Sequence, residues 1–127
     1  MSWASSQTTR FSIPIGADGK SGPVDEVKLD REISRPDGMR SFGKGDVLVI
    51  EGGSGGRLSR VALSGDTGKV TTVKEGYPDG PVAVTVVGTT AYVLEGQLAA
   101  FMRGPAAGAA PPVPKPFKAT AVQVGKP

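Results

Sequence analysis

The chain has 127 residues, a formal net charge of +3, 19 glycines and 11 prolines. It contains neither cysteine nor histidine, which excludes disulfides, thiolate and imidazole catalysis, and HExxH zinc sites. Its basic residues are dispersed and no apolar run approaches the ~20 residues that cross a bilayer, so neither nucleic acid nor a membrane is an expected partner.

Residues 1–9 have no apolar h-region, which argues against a signal peptide, and they are expected to form a disordered arm. From residue 10 the chain reads as short strands. Arg10–Ile15 and Val24–Leu29 are the first two, joined by a Gly/Asp/Lys/Ser/Pro loop. After Pro36-Asp37-Gly38 comes a short strand at Met39–Phe42, then turn chemistry at Gly43-Lys44-Gly45-Asp46. Val47–Glu51 is an apolar run suited to a strand covered on both faces. Gly52–Gly56 is a flexible loop, and Arg57–Leu63 and Lys69–Lys74 alternate polar and apolar residues around a Gly-rich turn. Val82–Val87, Ala91–Glu95 and Gln97–Met102 are the next three strands. Residues 103–116, rich in Pro, Ala and Gly, read as an extended loop. Phe117–Val124 is the last strand, within a closing segment, 117–127. Helix is not expected, because no window carries an i, i+3, i+4, i+7 apolar stripe free of Gly and Pro.

The sequence repeats itself. Pro36-Asp37-Gly38 recurs as Pro78-Asp79-Gly80, 42 residues on, and Val47-Leu48-Val49-Ile50-Glu51-Gly52 recurs as Ala91-Tyr92-Val93-Leu94-Glu95-Gly96, 44 residues on. A period of about 40–45 residues built from short strands is that of propeller blades. The expected fold is therefore all-β, a β-propeller fragment of about two and a half four-stranded antiparallel blades over residues 10–102, with Phe117–Val124 as the fourth strand of the second full blade. Arg10–Ile15 and Val24–Leu29 are taken as the outer half of a preceding blade.

Ile13–Gly19, Arg35–Met39, Gly56–Val61 and Ala91–Gln97 together resemble the C-terminal part of six-bladed propellers of the gluconolactonase and senescence-marker-protein group. The likeness covers about residues 10–102. In that group a divalent cation on the central axis assists lactone or ester hydrolysis, and the Asp of the Pro-Asp-Gly-Met motif is one ligand. The resemblance maps that role to Asp37. The partner ligands come from earlier blades, and this chain contains no Asn.

Antiparallel pairing gives Asp37 separate support, since the start of a blade's first strand lies beside the end of its second. Asp37 should meet Glu51, and Asp79 should meet Glu95. Four such carboxylates around a channel mouth would suit a hard cation such as Ca²⁺. The plainer alternative is a turn aspartate that caps backbone N–H groups and a solvated glutamate at a strand end. Arg40 and Lys44 are candidates to polarise a substrate oxygen, or are surface cations. Tyr77, Tyr92, Phe42 and Phe101 would either stack a sugar or fill the space between blades. Ser41 and Ser54 have no visible base.

Too few blades are present to close a ring, so the end faces should stay apolar and exposed, which drives association. Two chains would make a five-bladed ring and three a six-bladed one. The expected protein is thus a partial propeller that assembles as a homo-oligomer, dimer or trimer. The alternatives are a metal-dependent lactonase or esterase formed on assembly, and a module binding a sugar or other small molecule.

Overall fold

A computed structural model describes residues 2–5, 10–102, 108, 110–111 and 113–127. Ten strands and one helix follow in the order β1 (Ser2–Ser5), β2 (Arg10–Ile13), β3 (Asp25–Leu29), β4 (Pro36–Phe42), β5 (Asp46–Glu51), β6 (Gly56–Ser64), β7 (Thr67–Tyr77), β8 (Pro81–Val87), β9 (Thr90–Glu95), α1 (Leu98–Met102) and β10 (Lys118–Gln123). They form a curled seven-stranded sheet, β1-β2-β3-β7-β6-β5-β4, and a three-stranded sheet, β10-β9-β8. The all-β class expected from the sequence is observed.

β4 to β7 form one antiparallel meander. Its hairpins turn where glycine supplies positive φ, at Gly43 (62°) and Gly65 (58°). β5 is buried from Val47 through Glu51. Because side chains alternate, Leu48 and Ile50 point to one face, and Val49 and Glu51 to the other. Leu48 and Ile50 join Phe42, Leu58 and Tyr77 in a core closed from the other side by Val84, Ala91 and Val93 of the second sheet. Val49 joins Val61, Val70 and Ile33 on the opposite face. Each fully buried aliphatic side chain contributes about 1.5–3 kcal/mol to folding, so this two-sided burial of β5 anchors the fold.

The two sheets are copies of one pattern. Met39↔Val49, Arg40↔Leu48 and Ser41↔Val47 in the first sheet match Val84↔Val93, Thr85↔Tyr92 and Val86↔Ala91 in the second. The first strands are thus offset by 45 residues and the second strands by 44. One residue fewer in the β8–β9 hairpin accounts for the change, since Phe42↔Asp46 becomes Val87↔Thr90. The structural counterpart of Pro36 is therefore Pro81, not Pro78. Both prolines stand opposite the terminal glutamate, and both strands shift register just after them.

Several expectations are corrected. Gln97–Met102 is not a strand: Gln97 has φ 54° and the helix α1 follows. The last strand pairs with β9, so it is the third strand of the second copy and not the fourth. β3 does not belong to a separate preceding blade. It pairs in parallel with the start of β7, Lys28↔Thr67 and Leu29↔Gly68, and so extends the first sheet. The arm expected to lack structure contains β1, which pairs with β2, while residues 1 and 6–9 lie outside the described residues. So does half of the 103–116 loop, residues 103–107, 109 and 112.

The two sheets approach closely at Gly38 of β4, beside β8. A Cβ on Gly38 would sit 2.9 Å from the Ala83 Cα and 2.9 Å from the Val82 carbonyl oxygen, both backbone atoms. Gly38→Val is expected to wedge the sheets apart and cost about 1–3 kcal/mol, read as a lower urea midpoint with β content retained. An unchanged midpoint would mean the sheets are not packed this closely.

Candidate functional site

Three of the four predicted metal ligands, Glu51, Asp79 and Glu95, fall into two corners of the same design. At each corner the second strand ends in Glu-Gly. The glutamate accepts a backbone N–H from two residues before the proline: Ser34 to Glu51 at 2.8 Å, and Asp79 to Glu95 at 2.9 Å. The glycine then donates to the next carbonyl, Gly52 to Arg35 and Gly96 to Gly80, both at 2.9 Å. That carbonyl belongs to a residue with positive φ, Arg35 (46°) or Gly80 (77°).

The first corner is closed by arginines. Arg31 grips Glu51 with two parallel hydrogen bonds, Nη1 to Oε1 and Nη2 to Oε2, each 3.0 Å. Ser59 donates to Oε2 at 2.6 Å, and Arg57 Nε lies 3.0 Å from the same oxygen. Arg57 stands directly opposite Glu51 in the β5–β6 pairing. Arg31 is delivered by the β3–β7 junction: Lys28 donates its N–H to Asp66, and the Asp30 carboxylate accepts the Val70 N–H at 2.8 Å. Glu51 is only 2% exposed. Burial pushes its pKa up, but the Arg31, Ser59 and Ser34 hydrogen bonds outweigh that and hold it below its ordinary value of 4.5. Every lone-pair direction this carboxylate needs is met by protein donors. Asp37, which the sequence placed beside it, is exposed and takes no part in this cluster.

The second corner does bring Asp79 and Glu95 together. Lys115 Nζ donates to Asp79 Oδ1 at 2.8 Å, which raises the lysine pKa. Gln97 fixes the Lys115 segment by a two-way amide clasp, Nε2 to the Lys115 carbonyl and Oε1 from its N–H, both 2.9 Å. The Tyr77 hydroxyl is buried without a hydrogen-bond partner among the described residues. Its pKa is raised by burial and by the nearby Glu95 charge. Among the described residues no three acidic side chains gather as cation ligands would.

The aromatics divide between two settings. Phe42 and Tyr77 are buried between the sheets, while Tyr92 and Phe101 are exposed. Tyr92 lies on the outer face of the second sheet. In register, the rows Ala83–Leu94–Ala119 and Thr85–Tyr92–Ala121 cross that face, and none of these residues is charged. Leu48 and Ile50, the counterparts of Tyr92 and Leu94, are 0% exposed; Tyr92 and Leu94 are each 39% exposed. Val87, Leu98, Phe101, Met102 and Phe117, all exposed, belong to this sheet or its flanks.

No family model matches the chain, and neither the curated proteins nor the solved structures yield a match.

The Arg31–Glu51 clamp generates two linked predictions. Arg31→Ala should destabilise the protein by about 2–4 kcal/mol, because it strips charged hydrogen bonds from a buried carboxylate that keeps only Arg57 as a cation partner. Because the folded-state pKa of Glu51 is depressed, its contribution is full above the ordinary value of 4.5 and is lost as pH falls through the folded value. Denaturant titrations across that range should show this acid limb in the native protein and a weaker one in Glu51→Gln.

Proposed function

We propose that this chain is a propeller-type repeat module whose function is assembly: it pairs with a second copy through the uncovered face of its second sheet. One observation carries this reading. Tyr92 and Leu94 occupy the repeat positions at which Leu48 and Ile50 are wholly buried under another sheet. The inner packing of the chain thus shows that these repeat positions accept a covering sheet. An uncharged, exposed sheet face with flanking Leu98, Phe101 and Phe117 is the kind of patch that marks an interface.

The form of the pairing follows from what is already occupied. On the far side of the first sheet, Val49, Val61 and Val70 are capped by Ile33 and Leu29. Among the described residues the face of β8, β9 and β10 stays open and uncharged. A second copy offers the same face, so the contact is isologous and two-fold. The period, the Glu-Gly corners and the likeness to the gluconolactonase group support the propeller part of the reading.

Pairing predicts a melting temperature that rises with protein concentration, since association stabilises the folded state by mass action. Leu94→Asp places a charge on the face without touching the buried core. It should abolish the concentration dependence while leaving the circular dichroism of the dilute protein unchanged. A melting temperature independent of concentration in both proteins would refute the pairing.

A further inference from the structure

Among the described residues the second copy has three strands where the first has four. In the first sheet β7 lies along β6 for its whole length. In the second sheet β10, the counterpart of β6, is the edge. Beside the C-terminal end of β10 lies a groove of about 450 Å³, lined by Asp46, Arg60, Thr71, Val73, Gln123 and Val124. Thr71 and Val73 come from β7, the strand over which a fourth strand of the second copy would lie.

The hydrogen-bonding direction of β10 can be assigned. The Val124 N–H donates to the Thr89 carbonyl at 2.9 Å, continuing the β10–β9 register. In an antiparallel pair these bonds occur at every second residue. Thr120 and Val122 therefore bond inward to β9, and Ala119, Ala121 and Gln123 direct their N–H and C=O groups to the open edge. An edge of this kind pairs readily with an added strand.

We infer that the β10 edge and its groove take up an extended strand from a partner polypeptide, antiparallel to β10. The first copy shows the chemistry required. β7 presents Val70 opposite Val61 and Thr72 opposite Ser59, and the corresponding residues of β10 are Val122 and Thr120. The incoming strand carries a β-branched apolar residue opposite Val122, turned toward the groove, and a hydroxyl residue opposite Thr120. This inference concerns the edge of the sheet and does not depend on pairing through its face.

The probe is a synthetic peptide of the β7 sequence, residues 67–77, added to the isotope-labelled full chain and followed by NMR. Saturable shifts are expected at Ala119, Ala121 and Gln123 and along Thr71–Val73. Amide exchange at those three β10 residues should slow by about tenfold or more. Ala121→Pro removes one outward N–H while keeping every bond to β9, and should weaken uptake by about tenfold or more with its β content retained. Leu94→Asp should leave uptake unchanged, which separates failure of this inference from failure of face pairing. Absence of saturable binding would overturn the inference. So would shifts confined to β6, meaning that the peptide merely displaces β7, or undiminished binding to Ala121→Pro.

Discussion

The structure depends on one contact, the stacking of the second sheet on the Leu48–Ile50 face of the first. Without it, β5 would have a single buried face and a three-stranded sheet would have no core. The contact is close because β4 and β8 meet backbone to backbone at Gly38. It is tight because Phe42, Leu58 and Tyr77 fill the space beside Val84, Ala91 and Val93. The same stacking fixes which faces are spent and which remain. It turns Ala91 and Val93 inward and, by alternation, turns Tyr92 and Leu94 out.

The glutamate corners act at the ends of that stack. Each joins the end of a second strand to the approach of the first through one backbone N–H, and each accommodates a positive φ before the proline. The first corner adds two arginines and a serine around a buried carboxylate, tying the β3 segment to the meander. The second exchanges these for Lys115 and Gln97, which tie down the segment that returns to β10. The two corners therefore share a backbone design and differ in side-chain closure, in step with what each must hold.

The repeat was legible in the sequence because Glu-Gly after an alternating apolar run marks both second strands. Its register was not. Pro78-Asp79-Gly80 copies Pro36-Asp37-Gly38 in letters, yet the chain places Pro81 opposite Glu95, because strand pairing is set by the glutamate corner and not by the turn. Asp79 meets Glu95 through its backbone N–H, and its own carboxylate turns to Lys115. Arg57 opposite Glu51 follows from simple hairpin geometry and could have been read. Arg31 could not, since its approach depends on the parallel β3–β7 pairing far along the chain. The short run Leu98–Met102 is apolar enough for either a strand or a helix. The positive φ at Gln97 ends the strand, and Leu, Ala and Met then favour the helical turn.

β5 is buried on both faces, whereas β9 is buried on one. The proposed covering of the open face of the second sheet by another copy is tested by molar mass in solution, measured by light scattering across a dilution series. Pairing gives twice the 12.9 kDa chain mass at high concentration, falling toward the single-chain value on dilution. A folded, monodisperse single chain at every concentration would contradict it.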